Sequence, residues 1–185
     1  MRRVHVFDNI SVDGFFTDAN SDMSWAHKHD EEWNAFASGN ASGNAVLLMG
    51  RVTYEMMAAF WPTPQAAQML PKVAEGMNVM QKTVFSRTLD AVTWQNTTLV
   101  KGDLVTEVKK LKQQAGPDMV ILGSGSIVSQ LTQARLIDEY QIVVNPIVLG
   151  SGRTLFETVK DRVTLTLAKT RSFKNGNVVM WYEVA

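Results

Sequence analysis

The sequence predicts an α/β protein: a three-layer αβα sandwich on a mostly parallel sheet, closed by a C-terminal antiparallel hairpin. Three observations carry this prediction. Strand-like and helix-like segments alternate along most of the chain, the pattern of parallel strands joined by crossover helices. Two apolar runs, "AVLLMG" and "DMVILG", are continuous and end in glycine, as strands covered on both faces do. Near the C-terminus, two alternating segments flank Asn175-Gly176, a strong hairpin signal.

The elements follow in order. "RRVHVFDNI" (2–10) alternates polar and apolar residues and reads as a strand, and "SVDGFFT" turns away from it. "DEEWNAFASG" (30–39) begins a helix, with Asp30 as N-cap and acidic residues in the first turn. "AVLLMG" (45–50) is a buried strand, and "VTYEMMAAF" (52–60) a helix stopped by Pro62 and Pro64. "NVMQKTVFS" (78–86) is a further strand. "DLVTEVKKLKQQAG" (103–116) places apolar residues at 104, 105, 108 and 111, a helical spacing that Gly116-Pro117 ends. "DMVILG" (118–123) is a strand and "SIVSQLTQARL" (126–136) a helix. "DEYQIVVNPIVLG" (138–150) is strand-like, with Pro146 marking a bulge or an edge. "RVTLTLAKTRSF" (162–173) and "NVVMWYEVA" (177–185) make the hairpin.

Composition narrows the function classes. With 185 residues and no repeat or linker, residues 1–185 read as one domain, large enough to keep water out of a cleft. Eighteen basic and eighteen acidic side chains cancel, which argues against a general nucleic-acid binder. The absence of cysteine removes disulfides, thiolate metal sites and a cysteine nucleophile. The opening "MRRVHVFDNISVDG" is too short in apolar residues for a signal peptide, and no run approaches the ~18 apolar residues of a membrane helix. A soluble cytoplasmic protein with a small-molecule substrate is expected, with neither nucleic acid nor membrane as partner. His27 and His29 lack a third ligand, so no metal site is expected.

In open parallel sheets, ligands bind beyond the carboxyl ends of the strands. Three segments end a predicted strand with residues suited to anions: Gly50, Arg51 and Thr53; Ser86, Arg87 and Thr88; and Gly123, Ser124, Gly125 and Ser126. Glycine permits close backbone approach, a helix N-terminus carries partial positive charge, and arginine forks onto phosphate. Taken singly, Gly50 also reads as a turn, Arg51 as a surface charge and Ser86 as a helix cap. Together on one edge they suit a dinucleotide with a ribose 2′-phosphate, NADPH rather than NADH.

The order Ser11-x-Asp13-Gly14, Met-Gly-Arg-x-Thr-Tyr (49–54), Ser-Arg after a strand, then Gly-Ser-Gly-Ser resembles the dihydrofolate reductase-like superfamily. Within it, "LIDEYQIVVNPIVLGSGRTLF" (136–156) is similar to the RibD C-terminal family of bacterial riboflavin biosynthesis reductases. The resemblance runs from about residue 3 to the C-terminus. It implies a dihydrofolate reductase-like mixed sheet and an NADPH-dependent reductase acting on a pterin or a phosphoribosylamino-pyrimidine. Gly50, Arg51 and Thr53 would hold cofactor phosphates, and Ser86 and Arg87 the 2′-phosphate. Gly123, Ser124, Gly125 and Ser126 would hold the pyrophosphate, followed by Ile127. Serines alternate here where dihydrofolate reductases have a triple-glycine-like turn.

On the substrate side, the resemblance implies a carboxylate a few residues after a tryptophan. Trp25 and Asp30 have that spacing, although Ser24 replaces the usual proline. Asp30 reads equally as the helix cap and as the acid beside the hydride acceptor; Asp13, Glu31 and Glu32 are the other carboxylates placed for that role. The Asp13-Gly14 loop, with Phe15 and Phe16, would lie over the nicotinamide. Gly150–Arg153 reads as a turn or as a substrate-phosphate site, and His27 and His29 as loop histidines or phosphate donors. The competing class is a non-catalytic nucleotide- or flavin-binding protein that keeps the fold. The apolar load of "DEYQIVVNPIVL" and the last two strands, with Val143, Val144, Ile147 and Val148 buried on both faces, predicts a homodimer.

Overall fold

The computed structural model describes residues 1–27, 30–41 and 44–185. Its first half contains β1 (Val4–Ser11), β2 (Phe15–Thr17), a 3-10 turn (Ser24–Ala26), α1 (Glu31–Ala41), β3 (Val46–Gly50), α2 (Arg51–Phe60), α3 (Pro64–Met69), α4 (Pro71–Val79) and β4 (Gln81–Phe85). Then come β5 (Thr97–Val100), α5 (Leu104–Gln113), β6 (Met119–Leu122), α6 (Gly125–Gln133), β7 (Glu139–Asn145), β8 (Arg153–Thr154), β9 (Leu165–Ser172) and β10 (Val178–Val184).

Eight strands form one sheet in the order β5-β4-β3-β6-β1-β7-β10-β9. Neighbours pair in parallel except at β10, which runs antiparallel to both β7 and β9. The predicted mixed sheet with its antiparallel C-terminal strands is therefore the observed one. β2 and β8 pair separately as a small antiparallel ribbon.

The central strands are covered on both faces, which explains their continuous apolar runs. On one face, α5 and α6 bring Leu104, Val108, Val128 and Leu131 onto Val4, Val6, Leu48 and Ile121. On the other, Tyr54 of α2 and Met77 of α4 pack on Leu47, Met49 and Val84. Farther along that face, Trp33 and Phe36 of α1 meet Phe7, Val143, Phe173 and Val179.

Several boundaries differ from expectation. The strand predicted at 78–86 starts at Gln81, because Asn78 and Val79 complete α4. The buried Lys82 ammonium then donates to the Met77, Asn78 and Met80 carbonyls, closing the helix end. The segment predicted at 138–150 is a strand only to Asn145, and Pro146 ends the pairing rather than bulging it. Val148, expected to be buried on both faces, is 69% exposed on the loop that follows. The hairpin forms as predicted, with Gly176 at φ +89.

Candidate functional site

β4, β3, β6 and β1 are adjacent and parallel, so their carboxyl ends lie along one edge of the sheet. That edge brings together the three predicted clusters: Ser86 and Arg87 beyond β4, Gly50, Arg51 and Thr53 where β3 becomes α2, and Gly123–Ser126 where β6 becomes α6. Two helix N-termini thus open side by side at the centre of the crevice, each with first-turn amides that have no partner within the helix.

The hydroxyls among these residues brace the two helix starts. Ser124 Oγ donates to Thr53 Oγ1 at 2.8 Å, and Thr53 Oγ1 donates to the Gly123 carbonyl at 3.1 Å. The Gly50 amide donates to Ser124 Oγ at 3.3 Å. Thr53 and Ser124 are both buried, so their side chains hold the crevice in shape. Gly123 adopts φ +63, the left-handed turn that starts α6. Ile127 is buried in the core and its amide bonds the Ser124 carbonyl, whereas Ser126 is exposed.

Ser86 Oγ accepts from the Thr88 and Leu89 amides at 3.2 and 3.1 Å, which shapes the turn carrying Arg87. Arg51 is exposed and pairs with Glu55 at 2.8 Å. Arg87 is exposed and makes no hydrogen bond or ion pair to the described residues.

A second layer covers the α6 N-terminus. Phe16 is buried, and a Cβ at Gly125 would stand 2.5 Å from its Cζ, so the ring lies directly on that glycine. The ribbon of β2 and β8 holds Phe16 there: Gly152, at φ +150, lies so close to Thr17 that a Cβ would fall 2.0 Å from its carbonyl oxygen. Asp13 is the tie between the two loops, accepting from the Leu149 and Gly150 amides at 3.1 and 2.7 Å. The Ser11 hydroxyl, with those amides, holds the Asp13 carboxyl down at about 2. Asp13 is therefore ionised and occupied as a clamp. Arg153 pairs with Glu157 through two nitrogens and lies 5.6 Å from the centroid of the Phe16 ring. Gly150–Arg153 thus belongs to the clamp.

Asp30 Oδ1 accepts from the Trp33 amide at 2.9 Å, the N-cap geometry. His27 is exposed, and His29 lies outside the described residues. Among the described residues no three metal-ligating side chains cluster. A hollow of about 430 Å³ lined by Ala58, Pro62, Asn78, Thr93, Trp94 and Gln95 lies beside the start of β4, away from the crevice.

Sequence reasoning missed two features at the same edge. Asp8 on β1 is buried, and burial pushes its carboxyl up to about 8 against hydrogen bonding from the Asn9 and Gly123 backbone. Asn145 and Asn177 are fully buried, with Asn145 Oδ1 and both polar atoms of Asn177 unpartnered among the described residues. Asn145 Nδ2 donates to Asn9 Oδ1 at 3.1 Å, which makes a polar row on the α1 face. An aspartate interrupting an alternating apolar strand was the available signal.

Comparison with known proteins is consistent with this geometry. The model of the RibD C-terminal domain family matches residues 2–179. The uncharacterized protein YyaP of Bacillus subtilis is 27% identical over 182 residues, covering 98% of this chain and 94% of YyaP. YwjB of the same organism is 25% identical over 174 residues, covering 93% and 92%. A putative riboflavin biosynthesis protein from Shewanella sp. PV-4 superposes with a TM-score of 0.75 at 23% identity, over 99% of both chains. A diaminohydroxyphosphoribosylaminopyrimidine deaminase/5-amino-6-(5-phosphoribosylamino)uracil reductase from Thermotoga maritima gives 0.71 at 13% identity, with all of this chain and 57% of that one aligned.

Proposed function

The chain belongs to the RibD C-terminal domain family, and we propose that it is an NADPH-dependent reductase of a pterin or phosphoribosylamino-pyrimidine type substrate. The observation that carries this reading is the pairing of two helix N-termini at the ends of β3 and β6. It offers backbone amides, a left-handed glycine turn and flanking arginines to one anionic ligand. The residues fit such a group: the turn is lined by glycine, and the Thr53–Ser124 brace keeps the two amide sets in fixed relation. When bound, the nicotinamide supplies the hydride.

In this reading the Gly125 and Ser126 amides at the start of α6 meet the pyrophosphate, while Gly50 and Gly123, whose amides are taken by Ser124 Oγ and the Asp8 carboxyl, shape the cradle with Thr53, Ser124 and Ile127. Arg87, with Arg51 beside it, meets the 2′-phosphate, and the turn made by Ser86 aims Arg87. Phe16 and the Asp13 clamp close over the α6 N-terminus and exclude water. Asp30 stands at the start of α1, with Oδ2 hydrogen-bonded to none of the described residues. It is the carboxylate available to a donor group of the acceptor ring. The chain's acceptor shares the chemistry named for the Thermotoga reductase, a ring carrying amino and carbonyl groups.

Oxidation of NADPH in the presence of such pyrimidines or pterins tests the activity directly. Arg87→Ala tests the cofactor. Loss of a charge-assisted contact costs ~1.5–3 kcal/mol, about ten- to a hundredfold in affinity. Fluorescence titration should show that loss for NADPH and far less for NADH. Equal losses for the two cofactors reject the assignment of Arg87.

A further inference from the structure

β1 carries a carboxyl group where its pattern calls for an aliphatic side chain. Val4, Val6 and Ile10 alternate onto the α5/α6 face, and Asp8 sits between Val6 and Ile10 on that face, 1% exposed. Phe7 pairs with Leu122, the last residue of β6, so Asp8 lies abreast of Gly123, where the chain leaves the sheet. The departure is the left-handed turn at φ +63, and α6 begins two residues later on the face that Asp8 shares. Asp8 Oδ2 has no hydrogen-bond partner among the described residues. A buried carboxyl oxygen without a partner among the described residues therefore underlies the turn, whose Gly123 amide bonds the Asp8 carboxyl while the first-turn amides of α6 face the crevice.

We propose that Asp8 is a positioning residue for the anion site: as a carboxylic acid it supports the Gly123–Ser126 turn for a pyrophosphate, and as a carboxylate it competes with that pyrophosphate for the positive end of α6. This rests on reading the turn as the phosphate cradle. A helix N-terminus stabilises one negative charge well, and a second negative charge a few ångströms away acts against the first. The proton on Asp8 decides which negative group the helix serves.

Burial holds that proton to about pH 8. The titratable groups around it leave the range clear. Tyr140 of β7 is buried in the same cluster, and burial raises its phenol above the ordinary value. β2 and β6 bear no ionisable side chain on this face, and neither does α6. Arg153, across the Phe16 ring, is paired with Glu157, and Arg51 at the start of α2 is paired with Glu55. Lys82 also titrates near 8, but it lies on the opposite face, bound to the carbonyls closing α4.

Linkage gives the sign. An anion that prefers protonated Asp8 loses affinity as pH rises through 8, and by reciprocity its binding raises the pH at which Asp8 ionises. The test uses the full chain with inorganic pyrophosphate as probe, beside NADPH, by calorimetry from pH 6.5 to 9.5. The ratio of wild-type to Asp8→Asn affinity cancels the probe's own ionisation. It should fall about tenfold between pH 7 and pH 9, one proton's worth about a midpoint near 8. Infrared spectra of wild type alone give a second reading: a protonated-carboxyl carbonyl band at pH 7 that titrates away near 8, and at higher pH when pyrophosphate is bound. A constant affinity ratio, or a band midpoint that pyrophosphate leaves unmoved, overturns the proposal. So does pyrophosphate that binds neither protein at any pH, an outcome that also removes the cradle. Pyrophosphate binding with the expected pH dependence, but no binding of NADPH, supports Asp8 while refuting the reductase reading.

Discussion

A carboxyl group buried without a countercharge contributes a pH dependence of stability that favours acid over base, the reverse of the usual surface aspartate. Asp8 ionises at about 3.8 in the unfolded chain and at about 8 in the folded one. Between those values the folded state holds a proton that the unfolded state has released, so stability falls as pH rises. The cost grows by about 1.4 kcal/mol per pH unit from near pH 4 to near pH 8, then stays level. Asp8→Asn keeps the shape and removes the titration. Its melting temperature relative to wild type should therefore climb from pH 5 to pH 8, whatever constant offset the amide introduces. Paired thermal melts measure this, and a pH-independent difference would show that Asp8 is not held as an acid. Asp13 is the contrast: its carboxyl lies at about 2 because the Ser11 hydroxyl and two backbone amides favour the charged form. The two aspartates lie five residues apart on one strand and its turn, and their environments set opposite charge states.

Among the elements, the ribbon of β2 and β8 owes its position to two glycines. A Cβ at Gly125 would stand 2.5 Å from Phe16 Cζ and 2.7 Å from Cε1, so Gly125→Ala must displace the ring or the helix start. Overpacking of this kind costs ~1–3 kcal/mol. Phe16→Leu, which withdraws the ring edge, should recover part of that cost. A double-mutant cycle in denaturant measures the coupling, and strictly additive losses would place the ring elsewhere. Elements of this chain were legible where the cause was local. β3 ends in Gly50 and α5 is capped by Asp103, whose carboxylate accepts from the Thr106 amide, and both boundaries stand in the sequence pattern. α3 and α4 were not legible: Pro64 read as a stop, and the stretch up to 77 showed no periodic pattern, whereas Pro64 and Pro71 serve as first residues of helices, where the missing N–H costs nothing. β5 has four residues and exists through its pairing with β4. The position of the turns proposed to bind an anion could be read, since glycine and arginine mark the strand ends that meet at one sheet edge. The burial of Asp8 could not, because it depends on β6 stopping at Leu122 while β1 continues to Ser11.

At the scale of the whole molecule, the question is what covers the β10–β9 end of the sheet. Expectation placed an apolar surplus there, and the chain absorbs part of it: Val143 and Val179 are buried under Trp33 and Phe36 of α1. The α5/α6 face is different, because there β9 and β10 reach the core under those helices only at its margin, through the partly buried Leu165, Tyr182 and Val184. Met180, Tyr182 and Val184 of β10 and Leu165 of β9 are left half-buried on that side, and Leu167 is 51% exposed opposite Tyr182. β9 is also an open sheet edge, but Lys169 and Arg171 lie along it, and charged residues there discourage strand-to-strand pairing. A partner is therefore expected face to face, with the uncovered strands of one copy packed on those of another about a two-fold axis. Such an association leaves both crevices open, since they lie at the carboxyl ends of β3, β4 and β6. Light scattering at low micromolar concentration should return twice the 20.6 kDa of one chain. Leu167→Glu places a charge at the centre of the proposed contact and should return a monomer with an unchanged circular dichroism spectrum. A wild-type mass of one chain would mean that the half-buried strands are simply tolerated in water.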